Sequence, residues 1–179
     1  MQTIELTVSG QDLAFSVDVE PDYDSGAPWE NSDGHGPVSG WETREKRPGE
    51  LLLIRDGALS RYYDFAEACR IAMRDGWDSA PYNAGTETKR QQAAKAARAD
   101  YEYLRAWCND EWRYVVLTVT LLDSDGNETE IFSSLGMVED SDSDYLRETA
   151  REMADELAGG YGVSWDSVEK ETYEYIPRG

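Results

Sequence analysis

Carboxylates are the side chains of this sequence that offer the most chemistry. Four of them, Glu148, Glu152, Asp155 and Glu156, share one face of a predicted helix at the spacing i, i+4, i+7 and i+8. Neighbouring carboxylates can act as general acid and base or bind a divalent cation. The sequence brings no two of them within reach of each other, and it lacks the lysine or histidine motif that usually accompanies acidic nuclease sites. We therefore predict a protein that is not an enzyme, with a carboxylate-based, metal-dependent enzyme as an alternative.

The single histidine and the two cysteines add little to this chemistry. His35 lies between glycines in segment 33–37, without a recognisable serine or cysteine nucleophile or a second histidine for a metal site. We interpret it as a turn or surface histidine, and a functional role is the alternative. Cys69 and Cys108 occupy apolar positions of predicted helices, which is typical of buried reduced thiols.

Two binding motifs are incomplete. Segment 123–128 begins like a calcium loop, but position 12 of that loop is Ser134 instead of glutamate. An Asp-Gly pair between two apolar β runs indicates a hairpin turn instead. No glycine-rich phosphate loop precedes a helix. We predict that the protein has no cofactor and no metal site.

The negative charge of the chain is concentrated in its two terminal segments. The net charge is -20, and residues 1–43 hold nine acidic side chains and no lysine or arginine. Residues 44–113 are near neutral, with 12 acidic and 13 basic side chains, whereas residues 114–179 hold 16 acidic and four basic ones. Such a charge opposes binding to nucleic acid or to an anionic membrane, because both are polyanions. It favours a cationic protein surface as the partner.

A cationic surface that ordinarily holds DNA is the partner we expect. A folded protein that presents rows of carboxylates can occupy such a groove, since B-DNA carries about one negative charge per 1.7 Å of its axis. The sequence thus predicts a protein that mimics DNA and occupies the cationic surface of a nucleic-acid-binding protein. The candidate partner-binding residues are Asp22, Asp24, Glu30, Asp33, Glu139, Asp140, Asp142, Asp144, Glu148, Glu152, Asp155 and Glu156.

Another class of protein also fits the composition. A structural or scaffolding protein that forms homodimers through an alanine-rich helix and aromatic residues would use its acidity for solubility only. In that case, neutralising the acidic residues of the last helix would leave function intact. A high-salt habitat would also account for the acidity.

The order of predicted elements indicates an α+β fold. Paired strands followed by helices favour an antiparallel sheet of about five to seven strands packed against about three helices. We expect a single domain, residues 1–179, with a long irregular loop at 20–49 that is rich in proline and glycine. The aromatic residues Tyr23, Trp29 and Trp41 indicate that this loop packs against the protein.

Helix boundaries follow from capping residues. The first long helix is predicted to begin after Asp64 and to end at Gly76. Thr86 is predicted to open the longest helix, which carries alanines and five basic residues and reaches Trp107 or Asn109. The acidic segment 139–144 is expected to cap the last helix, and a final strand is expected near residues 173–176.

The sequence lacks the patterns of a membrane or secreted protein. No apolar run approaches the roughly 20 residues that span a bilayer, and the N-terminus lacks the basic and apolar regions of a signal peptide. Two cysteines do not form a disulfide framework. We therefore expect a cytoplasmic protein.

Three segments carry a resemblance to a known group of proteins. They are His35–Trp41 (HGPVSGW), Arg61–Ala68 (RYYDFAEA) with Asp75–Trp77 (DGW), and Tyr103–Trp112 (YLRAWCNDEW). Over residues 20–135 the chain resembles uncharacterised small acidic proteins of tailed bacteriophages. The resemblance implies an accessory protein made in the cytoplasm of a bacterial host. By analogy, it favours an inhibitor of host defence, such as an anti-CRISPR or anti-restriction protein. The tryptophan-rich third segment is expected to be either scaffold core or a separate binding surface.

Overall fold

A computed structural model describes residues 2–8, 11–31, 34–77, 87–159 and 171–172 of the 179-residue chain. The chain forms two compact units. Unit 1 comprises residues 1–25 and 113–179, and unit 2 comprises residues 26–112. Strands and helices are both present and the strands pair antiparallel, so the predicted α+β class is confirmed. That the whole chain acts as one domain stays a prediction.

The described elements number seven strands and four helices. In chain order they are β1 (Gln2–Val8), β2 (Gln11–Pro21), α1 (Pro28–Asn31), β3 (Glu50–Asp56), β4 (Leu59–Asp64), α2 (Phe65–Asp75), α3 (Lys89–Cys108), β5 (Tyr114–Leu122), β6 (Glu128–Glu139), α4 (Ser143–Gly159) and β7 (Glu171–Thr172). The strands form two sheets instead of the single sheet that the sequence predicted. The predicted final strand at 173–176 lies outside the described residues.

Unit 1 is a five-stranded antiparallel sheet covered by a helix. The strand order is β6-β5-β2-β1-β7, and α4 packs on one face of this sheet. Alternate residues of the strands point to that face, because successive side chains of a strand alternate between its two sides. The core side chains include Phe15 and Val17 of β2, Val115, Leu117 and Val119 of β5, and Ala150, Met153 and Ala154 of α4.

Strand β6 lies at the edge of this sheet and continues further than the sequence predicted. The apolar run in the sequence predicts a strand from Glu128 to Leu135, but pairing resumes beyond an irregularity and reaches Glu139 opposite Tyr114. Within the irregularity, Met137 adopts a φ of 58°, a left-handed conformation that is unfavourable for a residue with a Cβ atom. The irregularity interrupts the alternation of inward and outward side chains along β6, so the apolar pattern of the sequence ends before the strand does.

Unit 2 combines the two-stranded β3–β4 sheet with α1, α2 and α3. The Asp64 carboxylate accepts a hydrogen bond from the Glu67 amide, and Gly76 ends α2 in a left-handed conformation, so both predicted boundaries are confirmed. Helix α3 begins later than predicted. Its N-cap is Thr88, which forms a capping box with Gln91 and therefore satisfies the first amides of the helix.

The alanines of α3 are used inside unit 2. Ala93 and Ala96 are buried in a cluster with Ala72 of α2, and Ala97 is buried in the main core of the unit. The small side chains allow a close approach of another element. That element is α2 of the same chain.

Segment 20–49 is less irregular than expected. Strand β2 runs to Pro21, α1 forms one helical turn, and Val38 and Glu42 form isolated bridges with β4. Trp29 packs against the core of unit 2, where its ring lies edge-on to that of Trp107 with the two ring centroids 5.3 Å apart. The expectation that Tyr23 packs as well is wrong, since its side chain is 88% exposed.

Candidate functional site

Both acidic terminal segments belong to unit 1. This unit holds 22 acidic and five basic side chains, whereas unit 2 holds 15 acidic and 12 basic ones. The difference arises because β2 pairs with β5, which joins the N-terminal segment to the C-terminal one. Nearly all of the excess charge of the chain is therefore carried by a single compact unit.

Six predicted carboxylates meet where β2 and β6 end and α4 begins. The Asp22 amide donates to the Tyr114 carbonyl (2.9 Å), and Tyr114 pairs with Glu139 across the sheet. The Asp140 amide donates to the Arg113 carbonyl (3.1 Å). We call this set the acidic end. It consists of Asp22, Asp24, Glu139, Asp140, Asp142 and Asp144.

The Asp22 carboxylate organises the backbone of the acidic end. It accepts hydrogen bonds from the Ser25 hydroxyl (2.5 Å), the Met137 amide (3.0 Å) and the amides of Asp24 and Ser25 (both 3.1 Å). These bonds, the Ser25 hydroxyl foremost, lower the pKa of Asp22 from its ordinary value. Asp22 is therefore a structural anion, and the exposed charge beside it is that of Asp24.

Other carboxylates of the acidic end are similarly engaged. Asp140 accepts from the Arg113 amide (2.7 Å) and lies 3.8 Å from the Arg113 guanidinium. Asp142 accepts from the amides of Asp144 and Tyr145, so the predicted capping of the last helix by the acidic segment is confirmed. Asp144 forms an ion pair with Arg147. The acidic end therefore combines exposed charge with side chains that hold its backbone in place.

The exposed face of α4 begins at the acidic end. Glu148, Glu152 and Glu156 are exposed, and none of them takes part in an ion pair with a described residue. Asp155 on the same face is partly buried, and this burial raises the pKa of its carboxyl, against the opposing effect of Arg151. Together with Asp144 these residues form a row that we call the α4 row. From Asp144 to Glu156 the helix rises about 18 Å, so the row carries one carboxylate per roughly 4.5 Å.

Two of the predicted residues are not members of the acidic end or the α4 row. Glu30 belongs to unit 2, where its carboxylate lies 3.4 Å from the Ala27 amide at the start of α1. Asp33 lies outside the described residues. Of the predicted loop residues, Asp22 and Asp24 lie in unit 1.

A second polar cluster, in unit 2, was not found from the sequence. The Asp100 carboxylate of α3 lies 2.6 Å from His35 Nδ1 and accepts from the Gly36 amide (2.8 Å) and the Tyr63 hydroxyl (2.6 Å). The His35 ring stacks on Tyr103 at 5.6 Å. Burial of Tyr63, followed by its bond to Asp100, raises the pKa of its hydroxyl above the ordinary range. No sequence signal links these residues, because they lie on a loop, a strand and a helix far apart in the chain.

This cluster ties segment 34–40 to α3 and β4. A Cβ atom on Gly36 would lie 2.7 Å from the Ala68 Cβ, so only glycine fits beside Tyr63. All side-chain polar atoms buried among the described residues have a hydrogen-bond partner, and the Asp100 cluster contributes to that. Its arrangement is that of a structural clamp, although an aspartate that orients a histidine is also found in catalytic sites.

The tryptophan-rich segment 103–112 belongs to the scaffold of unit 2. Trp112 is buried and donates its indole N–H to the Tyr103 carbonyl (3.1 Å). Burial raises the pKa of the Cys108 thiol to about 11 and also raises that of Cys69. Both cysteines are therefore poor nucleophiles, and the core interpretation of this segment is favoured over a separate binding surface.

No group of three or more histidine, cysteine, aspartate or glutamate side chains among the described residues is placed to hold a metal ion. None of the described helices combines the length and apolar character required of a bilayer span. A comparison with protein-family models, with curated proteins and with solved structures finds no match for this chain.

Proposed function

We propose that the protein is a non-enzymatic inhibitor that binds a cationic, nucleic-acid-binding surface of a host protein and excludes DNA from it. One observation carries the proposal: the acidic end and the α4 row are parts of the same compact unit, which has 22 acidic and five basic side chains. The resemblance to small acidic phage proteins makes a bacterial defence protein, such as a restriction or CRISPR complex, the partner we favour.

The spacing of charge along α4 supports mimicry of a DNA strand. The α4 row carries one carboxylate per roughly 4.5 Å of helix, and one strand of B-DNA carries one phosphate per about 3.4 Å of its axis. Like charges at i and i+4 destabilise a helix by about 0.2–0.5 kcal/mol per pair. The exposed row of Glu148, Glu152 and Glu156 therefore costs the helix some stability, which supports a role for these residues in binding a cationic partner.

The mechanism is steric and electrostatic. A unit with so much negative charge attracts a basic groove over a distance of about 8 Å at physiological salt, which accelerates association. Once bound, it covers the lysines and arginines that contact phosphate. Affinity should therefore fall steeply as the salt concentration rises.

The homodimeric scaffold is the weaker alternative. Its dimer interface was expected on the alanine-rich helix, but Ala93, Ala96 and Ala97 are buried within unit 2. The surface that the alternative requires is thus already occupied by the chain itself.

Displacement of DNA is the direct test. A labelled 20-base-pair duplex is bound to each member of a panel that contains a nucleoid protein, a restriction complex and a CRISPR effector complex, and the protein is titrated at several salt concentrations. We expect displacement from at least one member and an affinity that falls with salt. A complete absence of displacement, or an affinity independent of salt, refutes the proposal.

A pair of charge-matched variants locates the surface. Glu148→Gln with Glu152→Gln removes two exposed carboxylates of the α4 row, and Asp125→Asn with Glu130→Gln removes two exposed carboxylates elsewhere in unit 1. The α4 variant should associate about tenfold more slowly at low salt. Each carboxylate that lies about 7 Å from a cation of the partner raises the association rate about threefold, and the variant lacks two of them. The control should differ little from the wild type. Equal losses in both variants would indicate a non-specific effect of net charge.

A further inference from the structure

The acidic end also presents two large apolar side chains to solvent. Tyr23 is 88% exposed and Met137 is 50% exposed. Tyr23 follows Asp22 directly in the chain, and the Asp22 carboxylate accepts from the Met137 amide at 3.0 Å, so the two residues are neighbours. We call them the Tyr23–Met137 patch. Burying apolar side chains is the main source of affinity in protein interfaces, and carboxylates alone do not require these two residues.

The patch is held in a fixed geometry. The Asp22 carboxylate bonds the amides of Asp24 and Ser25 on one side and of Met137 on the other, so the turn that carries Tyr23 is fastened to β6. Met137 keeps a long apolar side chain at a φ of 58°, where glycine or asparagine would be favoured. Side chains on a rigid backbone lose little conformational freedom when they bind.

The charge of the surroundings decides which kind of partner can cover the patch. Unit 1 has 22 acidic and five basic side chains, so nucleic acid, an anionic membrane and a second copy of this unit are all repelled. A basic protein surface is attracted. Tyrosine and methionine are enriched in protein interfaces, where tyrosine in particular occupies apolar pockets at binding hot spots.

We infer that Tyr23 and Met137 are the anchor of the interface and insert into an apolar pocket beside the cationic groove of the partner protein. This inference rests on the proposed function and adds to it a division of labour. The carboxylates of the α4 row act at a distance and set the association rate. The patch acts only after docking and sets the dissociation rate.

Kinetic measurements on the protein displaced from DNA in the panel test this division. Tyr23→Ala and Met137→Gly remove the two apolar side chains, and the exposure of Tyr23 means that its replacement leaves the unfolding midpoint unchanged. Phe132→Ala is the matched control, because Phe132 is 61% exposed on the same strand and lies about 15 Å from Met137 along it. All variants are compared with the wild type and with the Glu148→Gln, Glu152→Gln variant by surface plasmon resonance at three salt concentrations.

We expect Tyr23→Ala to raise the dissociation rate at least about tenfold, with the association rate and the salt dependence unchanged. Met137→Gly should act in the same direction, and Phe132→Ala should have no effect. A dissociation rate within twofold of the wild type for Tyr23→Ala overturns the inference, and the proposed function stands if the α4 variant still associates slowly. If no member of the panel releases its DNA, the proposed function fails and the inference fails with it.

Discussion

Removal of the Asp100 carboxylate is the perturbation whose cost follows most directly from the structure. Asp100 accepts hydrogen bonds from the Gly36 amide and the Tyr63 hydroxyl and pairs with His35, and its side chain is only 10% exposed. In Asp100→Ala, the buried Gly36 amide loses its acceptor, at a cost of about 1–3 kcal/mol. The Tyr63 hydroxyl loses less, because the Ala97 carbonyl lies 3.1 Å away as a second acceptor.

The three lost bonds together predict a decrease in the free energy of unfolding of about 3 kcal/mol for Asp100→Ala. For a chain of this length, that corresponds to a midpoint lower by about 6–12 °C. Asp100→Asn should cost only about 1 kcal/mol. Its amide oxygen can accept from Gly36 and Tyr63, while its NH2 group donates to a His35 ring whose Nδ1 is unprotonated.

Equilibrium unfolding in urea, followed by tryptophan fluorescence, measures these differences. Five of the six tryptophans lie in unit 2, so the signal reports on the unit that contains the cluster. Glu102→Ala is the control, because Glu102 is an exposed carboxylate on the same helix. An Asp100→Ala variant whose free energy of unfolding lies within about 0.5 kcal/mol of this control, about half the net contribution of a typical hydrogen bond, would refute the clamp interpretation.

Three further predictions concern single side chains. Gly36→Ala should lower the free energy of unfolding by about 1–3 kcal/mol through overpacking, whereas Gly40→Ala, with open space around it, should change it little; urea denaturation compares the two. Because burial raises the pKa of Asp155, its ionised form lowers the free energy of unfolding at neutral pH, and this cost disappears below the pKa of an unfolded aspartate, about 3.9. Asp155→Asn should therefore raise the free energy of unfolding by roughly a few tenths of a kcal/mol at pH 7 and leave it unchanged at pH 3. Thermal unfolding at the two pH values measures this difference. Cys108, with a pKa of about 11, should react with iodoacetamide at pH 7.4 about 100-fold more slowly than an exposed thiol, and labelling at the rate of an unfolded control would contradict this.

The local boundaries of the fold were accessible from the sequence. Asp64 and Gly76 delimit α2 because a carboxylate at the N-cap and a glycine in the left-handed conformation satisfy helix ends by contacts within a few residues. The β5–β6 hairpin follows from the Asp-Gly turn between two apolar runs for the same reason. Thr88 was missed in favour of Thr86, although Gln91, three residues after Thr88, completes a capping box that Lys89, three residues after Thr86, does not.

Part of the candidate surface could also be predicted from the sequence, but the hydrogen bonds that organise it could not. The i, i+4 spacing of Glu148, Glu152 and Glu156 was sufficient to predict one exposed face. The role of Asp22 was not predictable, because one of its donors, the Met137 amide, is 115 residues away in the chain. The exposure of Tyr23 also contradicted its aromatic character, which by itself favours packing.

The sequence by itself determined the sign and segmental distribution of the charge, the types of most elements and both ends of α2, since these depend on composition and on contacts within a few residues. The tertiary structure decided which segments share a compact unit. Pairing of β2 with β5 places the two acidic segments together, and the contact of His35 with Asp100 joins residues 65 positions apart. Such long-range contacts form because the apolar faces of strands and helices are buried against each other, and local sequence patterns do not predict which faces pair.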